Sequence, residues 1–294
     1  MVVWFFDSLV AGFRYPTDEA RIQWFRIIFG LVCTCRFALA FGHGGWNRFA
    51  PDTHPGGMVG KKFSAFALER RIGESRFRTF ARIYKPVLVA RLVAPIALTV
   101  GILPHLSVLL VIAGLAFELI YVSSPNSIRY AILMAACLLV AGSLGSGLTA
   151  RHHESTANDW AQCLAVLITT DVYWNSAWHK SRSHQFRSGR FLAQWVYVYT
   201  RTRHQLRYRE HYVPGFVRNH LGTPSPRNLA VWRVISASAI GLEILLPVAL
   251  IVPQTRMYAI VAGIGMHLCF TCLKPRQLIT FTSLAVGSYL LFAA

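Results

Sequence analysis

Long apolar segments separated by short, proline-containing connections dominate this sequence. Several of the segments reach roughly 17–24 residues, which is long enough for an α-helix to cross a hydrocarbon core of about 30 Å. A backbone inside lipid must satisfy its own hydrogen bonds, and helices do so within one segment. The alternating pattern of a membrane β-barrel is not found. The sequence therefore predicts an all-α, polytopic integral membrane helical bundle.

We predict about eight transmembrane helices in a single transmembrane domain, residues 1–294. They cover Gln23–Gly42, Val87–Leu103, Leu106–Val122, Ile128–Ser143, Trp160–Trp178, Leu229–Val252, Met257–Leu273 and Leu278–Phe292. The chain starts with MVVWFFDSLVAGF, which lacks the basic start of a signal peptide and is predicted to form a short interfacial helix.

The formal net charge is +18, and the basic residues are distributed unevenly among the predicted loops. One side of the predicted bundle, which includes the basic loops 43–86 and 179–228, carries 22 of the 30 Lys and Arg. Basic residues in short loops favour the cytoplasmic side. We therefore predict a multi-pass protein of the cell membrane with both termini extracytoplasmic. Anionic lipid headgroups account for the positive charge, so nucleic acid is not predicted as a partner.

Both long loops contain amphipathic or apolar stretches. FSAFALERRIGESRFRTFARIY, in the first loop, has the pattern of a basic amphipathic helix lying on headgroups. FLAQWVYVYT, in the second, is too short to cross the bilayer and is predicted to be re-entrant or interfacial.

Ionisable residues at membrane depth are costly unless they are paired, and they often mark function. In the predicted helices they include Arg36, Arg91, Glu118, Asp171, Arg233, Glu243 and His267. Arg36, Arg91 and Glu118 either pair structurally or bind substrate, and the sequence leaves both open. Glu243 is a candidate substrate-binding residue for the same reason.

The densest group of such chemistry lies between Asp171 and Gly189. Asp171, Asn175 and Trp178 have the spacing that places side chains on one helix face. Trp174 flanks that face, and the residues that follow it at the membrane boundary are His179 and Lys180. A lysine at a partly dry site can act as a base, and the alternative is an interfacial Lys/Trp anchor.

The segment YWNSAWHK, which ends at Lys180 and is followed by Gly189, resembles the signature of the HTTM (horizontally transferred transmembrane domain) family. That family is related to vitamin K-dependent gamma-carboxylase. The first helix, with WFRIIFGL, and the late His267 followed by LITFTSLAVGSYLLF are also similar.

The resemblance implies a membrane enzyme in which Lys180 is the base and His267 a site histidine, with Asp171 and His179 assisting. It implies a reduced quinone, such as vitamin K hydroquinone, as cofactor. The carboxylases' asparagine–histidine pair is here Asn126-Ser127, and their large extracytoplasmic domain has no counterpart in this sequence. The expected activity is therefore a diverged quinone- or lipid-linked oxidation, or the maturation of a membrane-delivered peptide, rather than glutamate carboxylation.

Other catalytic classes lack their sequence patterns. There is no P-loop, GxSxG or HExxH motif, and the single C-x-x-C, Cys269 and Cys272, has no second pair to complete a zinc site. No metal site is predicted. The alternatives that remain are a transporter in which Arg36, Arg91 and Glu118 line a path, and a non-catalytic accessory protein for peptide maturation.

Overall fold

The computed structural model describes residues 17–42, 45–49, 51–53, 59–61, 63–122, 126–202, 213–223, 225–273 and 275–292. The chain divides into two units. The N-terminal unit is Asp18–Ala161, and the C-terminal unit comprises Gln162–Ala294 with Met1–Thr17.

Helices make up nearly all of the described secondary structure. They are α1 (Glu19–Gly42), α2 (Phe63–Ile72), α3 (Glu74–Val100), α4 (Pro104–Leu119), α5 (Asn126–Leu139), α6 (Asp159–Arg182), α7 (His184–Arg187), α8 (Arg190–Thr202), α9 (Gly215–Leu221), α10 (Pro226–Ile251), α11 (Arg256–Leu273) and α12 (Pro275–Ser288). Short 3₁₀ turns occupy Gly45–Asn47 and Tyr289–Phe292. The short strands are β1 (Thr17–Asp18), β2 (Pro51–Thr53), β3 (Val59–Lys61) and β4 (Glu154–Ser155), and β2 pairs antiparallel with β3.

In the N-terminal unit, α1 packs against α3, α3 against α4, and α4 against α5. The Asp18 side chain caps α1 by accepting a hydrogen bond from the Ala20 amide at 3.0 Å. The core between these helices is built from large apolar side chains such as Phe25, Phe29, Phe37, Leu98, Leu115, Ile128, Met134 and Leu138. Because lipid tails are as apolar as these side chains, close packing rather than the hydrophobic effect holds such helices together in a bilayer.

The stretch predicted to be an amphipathic helix in loop 43–86 forms two helices, α2 and the first part of α3. They are separated at Gly73, whose φ of 87° lies in the left-handed region that favours glycine. α3 then runs on without interruption into the predicted second span, through Pro86 and Pro95. The helix thus begins well before Val87, the predicted start of that span, because Pro86 is accommodated inside a continuous helix.

In the C-terminal unit, α10 packs against α11, α11 against α12, and α8 against α10. Ser225 caps α10 by accepting a hydrogen bond from the Asn228 amide, with Pro226 in the first turn. The apolar run FLAQWVYVYT lies in α8, and its Leu192 and Val196 are buried in a cluster with Trp232 of α10.

All eight segments predicted to cross the membrane are helical over most of their length. Four of the described helices, α1, α3, α10 and α11, are long and apolar enough to span a bilayer. Pro104–Leu119, Asn126–Leu139 and Leu278–Phe292 are apolar but shorter. An all-α architecture with membrane-spanning capacity is therefore shown, and the count of eight spans stays a prediction.

Candidate functional site

In the C-terminal unit, Lys180 lies against Glu243. Lys180 ends the inward face of α6, and its Nζ is 2.5 Å from Oε1 of Glu243 on α10. Ser176, one turn earlier on α6, donates a hydrogen bond to the same oxygen at 3.1 Å. The Glu243 side chain is 5% exposed and that of Lys180 is 23% exposed. The carboxylate is therefore buried, whereas the lysine is partly accessible to solvent.

Aromatic rings surround the lysine end of this pair. The Lys180 ammonium lies 4.6 Å from the ring centroid of Phe270 on α11 and 5.5 Å from that of Phe186 on α7. At these distances a ring face attracts a cation. The lysine is therefore held by a carboxylate on one helix and by apolar, electron-rich surfaces from two others.

His267 lies one turn before Phe270 on α11 and is 1% exposed. Its Nε2 is 2.6 Å from the hydroxyl of Tyr173 on α6, and that hydroxyl is 2.7 Å from the hydroxyl of Tyr289. The rings of Tyr173, Tyr289 and Phe281 enclose the imidazole, with centroids 5.7–6.5 Å away. Three helical elements thus contribute to one chain of hydrogen-bonding groups.

Gly263 leaves room for the hydrogen-bonded side chains of His267, Tyr173 and Tyr289. A Cβ at this position would lie 2.5 Å from the Tyr289 hydroxyl and 2.9 Å from its ring atoms. Glycine lets α11 approach Tyr289 closely enough for the hydroxyl to reach Tyr173.

Two polar atoms in this region are buried without a hydrogen-bond partner among the residues that the structure describes. They are Oε2 of Glu243 and Nδ1 of His267. Buried polar atoms are normally satisfied, so such exceptions need an explanation. Both atoms lie in the interior of the C-terminal unit with hydrogen-bonding capacity unused.

The structure does not bring the other predicted residues of α6 to this pair. Asp171, Asn175 and His179 are exposed, and Trp178 is 56% exposed, with the Arg182 guanidinium 4.4 Å from its ring centroid. Trp174 is also exposed, and its Nε1 donates to the Ile244 carbonyl at 3.1 Å. At 3.6 residues per turn, the buried face of α6 is the one with Tyr173, Ala177 and Lys180, so the predicted Asp171 face points outward.

Tyr173 and Ser176 were not predicted as site residues from the sequence. Their signal was their spacing, since Tyr173, Ser176 and Lys180 follow at intervals of three and four. Tyr289 had no such signal, because its contact with Tyr173 spans 116 positions of the chain.

The remaining predicted residues form a second cluster, in the N-terminal unit. Arg36 donates to Oε1 of Glu118 at 2.6 Å, and Arg91 donates to Oε2 of the same carboxylate. Arg91 also donates to the Tyr121 hydroxyl at 2.6 Å, and it stacks 4.3 Å from the centroid of Phe37. The three charged groups that the sequence singled out on three different helices therefore meet.

Arg233, in contrast, lies exposed on α10. Among the described residues, no group of three or more His, Cys, Asp and Glu is placed to hold a metal ion, and the six cysteines are free thiols.

No protein family model matches the chain, and neither a curated protein nor a solved structure matches it.

Proposed function

We propose that this chain is a membrane-embedded enzyme in which Lys180 and Glu243 exchange a proton with an apolar, quinone-like substrate. We further propose that it is a diverged relative of the HTTM and gamma-carboxylase proteins. The observation that carries the proposal is the contact between Lys180 and Glu243, made by residues 63 positions apart on two helices of the C-terminal unit. A surface anchor would not need a buried carboxylate partner.

The pair is suited to proton transfer. Placing opposite charges in a medium of low dielectric constant is costly, because each loses its hydration. Moving one proton from the ammonium to Oε1 over 2.5 Å removes both charges and leaves a neutral amine. That amine is a base toward an acidic substrate hydroxyl, and Ser176 keeps the carboxyl oriented through its own hydrogen bond.

The surroundings of the pair fit a ring-shaped, redox-active group. Phe270 and Phe186 offer apolar faces beside Nζ, and Oε2 of Glu243 and Nδ1 of His267 are buried polar atoms that a quinone oxygen or hydroxyl can satisfy. A bound quinol would supply two electrons, and dioxygen, the second substrate of the proposed oxidation, would accept them, because these side chains can do neither. The residues of the chain would bind it, orient it and accept its proton.

The proposal is tested with purified protein in proteoliposomes supplied with a reduced naphthoquinone. We expect protein-dependent oxygen consumption, and a loss of at least about two orders of magnitude in Lys180→Gln, as is typical when a general base is removed. Arg129→Gln, at an exposed position of α5, is the matched control and retains the rate.

Two results would contradict the proposal. Wild-type protein that leaves the quinol unconsumed would overturn the choice of substrate. A folded Lys180→Gln protein with the wild-type rate would remove the lysine from the chemistry. The fold of each variant is checked beforehand by its thermal unfolding in detergent.

A further inference from the structure

The N-terminal unit gathers more positive than negative charge around Glu118. Arg36 and Arg91 both contact this carboxylate, and both of its oxygens are used. A third guanidinium, that of Arg48, lies 4.9 Å from the ring centroid of Tyr121. Tyr121 also accepts the hydrogen bond from Arg91, so it links the two arginines. The four charged groups together carry two more positive than negative charges.

The solvent exposure of these side chains decreases from Arg48 to Arg91. Arg48 is exposed, Tyr121 is half-buried, and Arg91 is 2% exposed. The cations therefore form a line from the surface of the unit to its interior. Tyr121 thus connects an exposed guanidinium with a buried one.

At the buried end of this set of side chains, the Arg91 guanidinium does not use all of its hydrogen-bond donors. Nε of Arg91 is buried and has no hydrogen-bond partner among the described residues. A guanidinium has five N–H donors in a fixed fork that matches the two oxygens of a carboxylate or phosphate. Leaving one N–H group of the guanidinium buried without an acceptor costs free energy, and an oxyanion at this point would recover it.

Space for the guanidinium is built into α4. A Cβ on Gly114 would lie 2.7 Å from Cγ of Arg91, so the arginine stem can pass this helix only because the position is glycine. Glu118 is one turn further along α4. The same helix thus provides both the passage for Arg91 and its anionic partner.

Half-buried aromatic rings, those of Phe117 and Tyr121, adjoin the cations. Tyr121 belongs to an aromatic cluster with Phe49, Phe80, Tyr84 and Phe117, and the rings of Phe80 and Phe117 stack at 4.9 Å. Phe37 lies beside the Arg91 guanidinium. A ligand that fits would therefore combine one oxyanion with an apolar tail.

We propose that Arg48, Arg91 and Tyr121 form a binding site for an anionic amphiphile, with the oxyanion at Arg91 and the tail against the half-buried rings of Phe117 and Tyr121. The site is in the N-terminal unit, and it does not depend on the chemistry proposed for Lys180. A fatty-acid carboxylate represents this ligand class, and a free inorganic anion does not.

The test is direct binding of cis-parinaric acid, a fluorescent fatty acid, to the purified full-length protein. We expect saturable binding of the acid, and binding of its methyl ester that is weaker by about tenfold or more, because the ester cannot form the charge-assisted hydrogen bonds. Arg91→Gln should weaken binding of the acid to the level of the ester. Arg129→Gln is the control and should leave it unchanged.

Arg48→Gln is a second variant for the case that Arg91→Gln does not fold. Arg48 is exposed, so its replacement does not threaten the core, and we expect several-fold weaker binding of the acid. Equal affinities for acid and ester, or unchanged binding in both variants, would overturn the proposal. Displacement of the acid by millimolar inorganic phosphate would show a site for free anions and would overturn the amphiphile assignment.

Discussion

Arg26 is the most deeply buried charged residue of α1, with an exposed fraction of 0%. Its guanidinium donates to the Leu98 carbonyl at 2.8 Å and to the Gly147 carbonyl at 2.6 Å. Leu98 lies in the last turn of α3, where its carbonyl also accepts a hydrogen bond from the Gly101 amide and the helix dipole favours a cation. Gly101, with a φ of 79°, ends that helix against the same guanidinium.

We predict that Arg26→Met lowers the stability of the protein by about 3 kcal/mol, since hydrogen bonds from a charged donor contribute about 1.5–3 kcal/mol each. Arg26→Lys should be only partly better, because one ammonium cannot reproduce the planar fork that reaches both carbonyls. Thermal unfolding in detergent measures this, with the exposed Arg129→Met as control. Equal stabilities of Arg26→Met and the control would contradict it.

The pair of Lys180 and Glu243 gives a second prediction at the residue scale. Removing one member of a buried ion pair leaves an uncompensated charge, so Lys180→Met should destabilise the protein by roughly 3–5 kcal/mol. The double variant Lys180→Met with Glu243→Met should regain most of that loss, because no charge is left behind.

This double variant distinguishes a structural role of the Lys180–Glu243 pair from a catalytic role. If the proposed function is right, its stability recovers while its activity does not. Additive losses of stability in a double-mutant cycle would instead show that the two side chains do not interact in solution.

At the scale of the element, α11 depends on its close approach to Tyr289. We predict that Gly263→Ala destabilises the protein by about 1–3 kcal/mol, the usual cost of overpacking. It should also break the contact between Tyr289 and Tyr173, because the new Cβ would overlap the Tyr289 hydroxyl.

Gly265→Ala is the matched control on the same helix, since a Cβ there meets nothing within 4 Å. Alanine is a better helix former than glycine, so this control should be neutral or slightly stabilising. A Gly263→Ala protein that unfolds at the same temperature as the control would contradict the packing described for α11.

α2 and the first half of α3 form a second element with a testable property. They expose six basic side chains, Arg70, Arg71, Arg76, Arg78, Arg82 and Lys85. On the opposite face, Leu68, Phe77, Phe80 and Tyr84 are buried in the aromatic cluster. Since α3 continues directly into a membrane-spanning candidate, we propose that this basic face lies on anionic headgroups.

The prediction is that nanodiscs containing phosphatidylglycerol stabilise the protein relative to nanodiscs of phosphatidylcholine alone. Replacing Arg76 and Arg82 by Gln should remove part of that difference, about 1 kcal/mol for each basic residue. Arg151→Gln, an exposed arginine outside this face, should leave the difference intact. If the double replacement also leaves it intact, the basic face does not contact lipid.

At the scale of the whole molecule, the distribution of Lys and Arg predicts the orientation of the chain in the membrane. We expect alkaline phosphatase fused to the C-terminus to be active, because the enzyme works only outside the cytoplasm, and a fusion after Thr202 to be inactive. Activity of both fusions would show that the number of spans between them differs from the prediction.

The sequence by itself determined which segments are helices and that the chain can cross a membrane. Hydropathy and the length of each apolar run are local properties, so they can be read from neighbouring positions. It also pointed to Lys180, Glu243, His267 and the Arg36–Arg91–Glu118 set, because a charge in an apolar helix is costly wherever it lies.

Only the tertiary structure decided which of these groups meet. The contact of Lys180 with Glu243 spans 63 positions, and that of Arg26 with Gly147 spans 121, so no local pattern specifies either partner. The same packing turned Asp171, Asn175 and Trp178 outward and Tyr173 inward, because the rotation of α6 is set by the helices against which it lies. A charged residue in an apolar helix indicates from the sequence alone that a partner is needed. The packing of helices that are distant in the sequence determines which residue that partner is.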